Sequence, residues 1–548
     1  MSRGRREEFR EKKLNIKKVI LVISIILVIV AGIIVATNKD KIFKPKEDYA
    51  FESNIEPEKT EKAIEDILAE FGGEVIDTPK SDTYYVSKEG KTYTIYADGD
   101  IVEEQINFWS GKSSKPAIDE VGNINIYSAE ELKWVADQVI NGENNFSGVT
   151  ITLRKDLDFG ARIKEDGSWE GPIWTSIVGF LDELPKEEDK DKEKDKDKEE
   201  AEDPNAENLK RFNGCFNGNG FSIRGIYIDS DKNYQGLFGY STGTIQNVEL
   251  NNSYISGRYG TGAIVGLNAG VIENCIIKNT IVNGKDSKVG GICGISMSSS
   301  TIKHSHTDKG QIKGNSYVGG IVGYVNNNVI IEECSNAAKV AGQDYAGGIA
   351  GIIYYGTTVS STDNSETVSG KNYVGGIAGY SQAQMEKVYN TAEVNGEDFV
   401  AGLAGVNFTM GDISKSYNTG NINGNNNIGG IVGTNNSSIS NTYNKGNIKS
   451  KGYRAGGICG QNATESFIYN AYNIGKIEGE ESIDGVVGGD FGTITNCYYL
   501  DTVLPDMQSE YSKTEEELKN NSLENLGEEF TSDEKQINDG YPIFSWQK

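Results

Sequence analysis

The side chains best equipped for chemistry are few and scattered. His304 and His306 are the only histidines, within the run His304-Ser305-His306-Thr307-Asp308. The zinc-peptidase motif HExxH, which sets two imidazoles and a general base on one helical face, is absent. The histidine cluster falls where other copies of a repeat described below carry Cys or Tyr, so it reads as a ladder or surface substitution and not as a metal site. Asp344, Asp363, Asp398 and Asp412 occur singly in different turns. A glycoside hydrolase or polysaccharide lyase would need paired carboxylates, or a base beside a cation, converging in a cleft. Six cysteines (Cys215, Cys275, Cys293, Cys334, Cys459, Cys497) form no CxxC pair, which excludes a zinc ribbon or a dense disulfide scaffold. They read as buried free thiols, and Cys275 and Cys334 fall two repeats apart, ~10 Å, too far to bridge. No catalytic, metal-binding or cofactor-binding residue is therefore expected, and no cofactor.

What would position such residues is a repeat. The motif glycine, small residue, Ile/Leu/Val, small apolar, glycine recurs, as in Gly319-Gly320-Ile321-Val322-Gly323, Gly347-Gly348-Ile349-Ala350-Gly351 and Gly375-Gly376-Ile377-Ala378-Gly379. Its last glycine falls at 239, 266, 294, 323, 351, 379, 405, 433, 460 and 488. In phase with it come Ile/Val followed by Tyr or Cys and often Asn, as in Val388-Tyr389-Asn390, and then Ile/Val-x-Gly, as in Val394-Asn395-Gly396. Each piece is too short for a helix and rich in strand formers. Three strands per constant period predict a right-handed parallel β-helix (solenoid) of ~28-residue three-strand coils, its rungs ~4.8 Å apart. Ile, Tyr/Cys and Asn should then pile up in ladders, the Asn amides bonding along the axis. Both middle positions of Gly-Gly-Ile-x-Gly are apolar, although neighbours on a strand face opposite sides. The outer row (Phe238, Val265, Val322, Val432) is therefore expected to lie under another element, or else to form an exposed stripe.

The fold class is mainly β, with a single N-terminal transmembrane helix and a small α+β module beside the solenoid. Residues 1–18 are a basic tail expected to stay cytoplasmic, and 19–36 (Val19 to Ala36) an apolar signal anchor long enough to cross a bilayer. Residues 37–56 read as a spacer and 57–116 as the α+β module: a helix over Thr60 to Phe71, then strands Thr83 to Val86, Thr92 to Tyr96 and Ile101 to Phe108. Residues 117–181 form an N-terminal cap with the first solenoid strands, opened by the capping box Ser128-Ala129-Glu130-Glu131. Residues 182–209, nearly all Lys, Glu and Asp, are expected to be a disordered insertion. The repeats occupy 210–500 and a C-terminal cap 501–548, with a helix near Thr514 to Lys519.

The Gly-Gly-Ile-x-Gly units between about 240 and 500 resemble the GLUG-motif repeats of bacterial cell-surface, adhesin-like proteins. The segment Tyr127 to Phe159 and the ending Gly540-Tyr541-Pro542 to Trp546-Gln547 are similar to what flanks such repeats. The family also includes exported zinc peptidases that cleave immunoglobulin A, an activity not carried over because HExxH is missing. The resemblance implies a surface display or adhesion role: single-pass in the cell membrane, C-terminal region extracellular, binding a host or cell-wall glycan or protein. A net charge of −26 excludes nucleic acid, which needs a basic stripe. The competing expectation is a polysaccharide-degrading β-helix enzyme.

Overall fold

The computed structural model describes residues 71–72, 74–80, 83–88, 91–96, 101–104, 109–163, 168–175, 178–179, 210–507, 509–521 and 523–548. The expected basic tail, apolar anchor, spacer, most of the first helix and the charged insertion lie outside these residues. No helix among the described residues is long and apolar enough to cross a membrane. The chain divides into two units, Met1–Gln105 and Ile106–Lys548.

In the first unit four strands, Glu74–Lys80, Thr83–Lys88, Lys91–Tyr96 and Ile101–Glu104, form an antiparallel meander. The first of them escaped the sequence reading. It carries Pro79, which cannot donate to a ladder and is tolerated because the strand lies at the sheet edge. The module ends near 105 and not at 116. Trp109 belongs to the second unit, where its ring packs 6.1 Å from Phe159 and 5.0 Å from Trp174.

The second unit is a parallel β-solenoid of the right-handed type, of about 12 turns. Helix Ala129–Ile140 closes its N-terminal end: Ser128 accepts from the Glu131 N–H, and the Glu131 carboxylate takes the Tyr127 N–H. Strand Thr150–Leu153 pairs in parallel with Cys215–Asn217, so the two sides of the charged insertion are successive rungs. Val178 and Phe212 both bridge to strand Phe238–Ser241, which places the departure and return of that insertion at one strand.

From Ser287 to Glu478 each coil holds four or five short strands, not the three expected. In one coil these are Asn372–Gly375, Ala378–Ser381, Gln384–Glu386, Tyr389–Asn390 and Val394–Asn395. The apolar pieces of the sequence are bent in the middle, so each spans a corner. This removes the difficulty over Gly-Gly-Ile-x-Gly. The chain leaves a nine-stranded sheet at the first glycine, turns through Gly-Ile, and enters a ten-stranded sheet at the next residue. Ile321 and Val322 therefore both point into the core, each 0% exposed, and the supposed outer row needs no covering element.

The isoleucines pile up as expected. Ile321 N–H donates to the Ile349 carbonyl (3.0 Å), Ile349 to Ile377 (2.9 Å), and the column runs on through Leu403, Ile431 and Ile458 to Val486. Beside it runs a buried asparagine column, Asn336, Asn364, Asn390, Asn418, Asn444 and Asn473, linked amide to amide at 2.7–2.8 Å. Asn390 also donates to the Ala392 carbonyl and accepts from its N–H, so the carboxamide is fully satisfied. A Cβ on Gly376 would overlap the Asn390 carboxamide. The glycine pair and the Asn therefore repeat in phase because one makes room for the other.

Candidate functional site: an uncapped aromatic ladder

The residues singled out in the sequence come apart in space. His306 takes its place in the column of Ile276, Ser335, Asp363, Tyr389 and Tyr417, with Nδ1 2.8 Å from Ser335 Oγ. Burial, with the neighbouring His304, lowers its pKa. His304 sits at a left-handed corner, its Nε2 3.0 Å from the Glu333 carboxylate. No group of three metal-ligating side chains converges among the described residues.

The four aspartates divide differently from their reading as isolated turns. Asp344 and Asp398 share one column with Asn372 between them. Asn372 donates to Asp344 (2.8 Å) and Asn426 to Asp398 (2.6 Å). Asp363 and Asp412 stand in two other columns. Burial raises both, opposed by a Tyr389 hydrogen bond at Asp363 and by Ser438 and Ser414 at Asp412.

All six thiols are free. Cys275 and Cys334 stack over serine and threonine and Cys497 over Ala471, none of them over tyrosine: the Cys275 N–H donates to Ser305 Oγ and the Cys334 N–H to Thr362 Oγ1. Burial pushes these three up to about 12, which removes the thiolate that reactivity needs.

The feature that stands out was not singled out in the sequence. The first strand of each coil contains a residue with positive φ: Lys288, Tyr317, Tyr345, Tyr373, Phe399, Asn427, Arg454 and Ser482 in successive coils. Glycine or asparagine is the ordinary occupant of that conformation, and a bulky side chain there costs roughly 1–2 kcal/mol. Four successive coils nevertheless carry aromatics, at φ 56°, 56°, 58° and 57°. Their rings stack: Tyr317 on Tyr345 at 5.0 Å, Tyr345 on Tyr373 at 4.6 Å, and Tyr373 on Phe399 at 4.9 Å, the last two 5° from parallel. Such pairs contribute about 0.5–1.5 kcal/mol each beyond burial, which roughly offsets the backbone strain.

A second aromatic row flanks this ladder. Tyr324 lies 6.0 Å from Tyr317 edge-on, Tyr380 lies 6.4 Å from Tyr345, and Phe408 lies 5.5 Å from Tyr380. Tyr355, Phe408 and Met410 are exposed at its rim, Met410 by 72%. On the other side runs the Asp344, Asn372, Asp398, Asn426 column, one residue before each left-handed position. In the coil before Tyr317, Lys288 lays its ammonium 3.6 Å from the Tyr324 ring centroid and 4.7 Å from that of Tyr259. Burial raises the Tyr317 and Tyr345 phenols and pushes Tyr380 up to about 12. All remain neutral at physiological pH, so the strip offers ring edges, hydroxyls, amides and two carboxylates.

A second ladder shows the alternative. Tyr389, Tyr417, Tyr443 and Tyr472 stack at 5.0, 4.9 and 5.2 Å within 9° of parallel. The C-terminal segment lies over it: Trp546 is 5.9 Å from Tyr417, Phe544 5.6 Å from Tyr443 and Phe530 5.8 Å from Tyr472. Gln547 donates to the Tyr443 hydroxyl (2.8 Å), Asn538 to the Tyr472 hydroxyl (2.7 Å), and Tyr472 bonds the Pro542 carbonyl. Tyr443 and Tyr472 are 1% and 0% exposed. Nothing among the described residues caps the other ladder in this way, and its four rings stay partly exposed.

No family model and no curated protein matches the sequence. Among solved structures, a "putative immunoglobulin A1 protease" from Bacteroides ovatus, determined at 1.30 Å, is similar at 17% identity with a TM-score of 0.32. That match covers 80% of this chain and 96% of the other. The β-solenoid assignment rests on the chain's own strand pairing.

Proposed function

We propose that this chain is a non-catalytic binding scaffold of the GLUG-repeat, adhesin-like type. Residues 19–36 hold it in the cytoplasmic membrane, and the solenoid stands outside the cell, presenting the uncapped ladder to a host or cell-wall glycan or protein. The observation that carries this reading is the pair of ladders. The same chain builds two stacked aromatic columns and seals one with its own C-terminus. In the other it keeps aromatics in strained backbone positions and leaves their edges partly exposed. The left-handed position recurs from coil to coil, so what sets this strip apart is that four successive coils fill it with an aromatic ring and leave that ring partly exposed.

The polysaccharide-cleaving alternative is less well supported. It requires two carboxylates on opposite sides of a glycosidic bond. Asp344 and Asp398 lie in one line along the solenoid axis, each already bonded to an asparagine, and Asp363 and Asp412 belong to other columns. The test presents the full chain, in detergent micelles, to a glycan array and a panel of matrix proteins, with Tyr345→Ala/Tyr373→Ala beside it. Binding that the double variant loses supports the scaffold reading. New reducing ends from any polysaccharide incubated with the chain would favour the enzyme. Protease treatment of intact cells should remove the solenoid, and full protection would place it inside.

A further inference from the structure

From this reading as a binding scaffold, we infer that the uncapped ladder takes a linear, uncharged polysaccharide lying along the solenoid axis, about one sugar per coil. Three observations support the choice. First, the strip repeats. Each coil offers an Asx or Ser followed by an aromatic ring, as Ser316-Tyr317, Asp344-Tyr345, Asn372-Tyr373 and Asp398-Phe399, and the rings recur every 4.6–5.0 Å. A ligand can use such equivalent positions together only if it repeats along the same line, as a polymer of like units does and an ordinary peptide sequence does not.

Second, the hydroxyls of Tyr317, Tyr345 and Tyr373 have no capping partner among the described residues, while the Asx side chains beside them pair with one another along the axis. In the capped ladder the Tyr443 and Tyr472 hydroxyls are bonded by Gln547, Asn538 and Pro542. In the uncapped one the ring faces cover each other, so edges and hydroxyls are what remains for a partner. Beside them the Asp344, Asn372, Asp398, Asn426 column alternates acceptors with amides, which can both donate and accept, a pattern suited to the vicinal diols of sugars. Third, the charge of the chain, −26, works against an acidic polymer.

The experiment titrates the full chain in detergent micelles with neutral β-1,4-linked glucose and N-acetylglucosamine oligomers, from dimer to octamer, and with a sulfated glycan as the charged probe. Affinity should climb about tenfold or more between dimer and tetramer and level off once the four-ring ladder is filled. Tyr345→Ala/Tyr373→Ala should lower tetramer affinity at least about tenfold while leaving the thermal unfolding transition within a few degrees. Length-independent binding, or tighter binding of the sulfated glycan, would overturn the inference. If no neutral glycan binds but a matrix protein does, and the double variant loses that protein, the inference falls and the scaffold reading stands. If the double variant changes binding on neither panel, both fall.

Discussion

The two aromatic ladders use the same parts for opposite ends. In the capped ladder the left-handed positions fall two residues before the tyrosines, at Lys387, Lys415, Asn441 and Asn470, so the rings themselves sit on unstrained strand. The C-terminal segment then buries Tyr443 and Tyr472 and satisfies their hydroxyls. In the uncapped ladder the aromatics occupy the left-handed positions themselves. Their backbone strain cancels much of what stacking gains, and no segment among the described residues repays it by covering them. The same stacked column is a stabilising joint in one place and a presented surface in the other. The difference lies in where the positive φ falls and in whether a cap follows.

The sharpest way to break that contrast is to remove one ring from each column. Tyr472→Ala empties a fully buried site and unties Asn538 and Pro542. It should cost about 3–5 kcal/mol, as buried aromatic truncations do, and release the C-terminal cap to proteolysis. Tyr373→Ala, at a partly exposed and strained position, should cost no more than about 1 kcal/mol. Denaturant unfolding of the two variants settles it: equal losses would mean that both ladders are core.

Behind the capped ladder runs the asparagine column, and Asn418→Ala probes how far the joint depends on it. The substitution takes one of two partners from the Asn390 amide and from the Asn444 carboxamide oxygen, and it also removes both bonds to the Gly420 backbone. Buried unsatisfied polar groups cost about 1–3 kcal/mol each, so a total loss near 2–4 kcal/mol is expected. Amide exchange should rise first in coils 390 to 444. A loss below about 1 kcal/mol would show the column to be incidental.

How much of this was legible in the sequence follows from which physics is periodic. The isoleucine and asparagine columns were readable because stacked coils force like residues to recur at one spacing. The corners were not, because Gly-Gly-Ile-x-Gly looks like a single strand until Ile321 and Val322 are seen to face the same core. The cysteines were matched to tyrosine although Cys334 aligns with Val388 and Ser335 with Tyr389, one place along, a shift too small for spacing alone to fix. The uncapped ladder had a signal that went unused: Tyr317, Tyr345, Tyr373 and Phe399 each stand six residues before the closing glycine of the motif. What hid it was backbone conformation. A tyrosine in the left-handed region contradicts local preference, and nothing in the residue type announces it.

Tyr373→Gly therefore tests the strain directly. Glycine removes roughly 1–2 kcal/mol of left-handed strain and forfeits two stacking contacts of comparable worth. Stability should change by less than about 1 kcal/mol, while binding to the strip falls as it does for Tyr373→Ala. If Tyr373→Gly unfolds the chain, the aromatic position is structural after all.

The smallest effect comes from Lys288, which continues the uncapped column with a cation, φ 63°, under the Tyr259 and Tyr324 rings. Burial lowers its pKa to about 8, against an unfolded value of about 10.4. Between those two values the unfolded chain binds more protons than the folded one, so this lysine makes stability rise with pH across that window. The ring faces favour the ammonium and oppose the shift, which narrows the window without reversing its sign. The tyrosines raised by burial act oppositely, since their folded state prefers the proton and loses stability as pH climbs past 10. The contribution of Lys288 is therefore isolated as a difference: unfolding free energy of the native chain minus that of Lys288→Met, followed from pH 7 to 10. That difference should increase with pH. A flat difference would mean that the ammonium is solvated and that the strip is wetter at this end than the ring contacts imply.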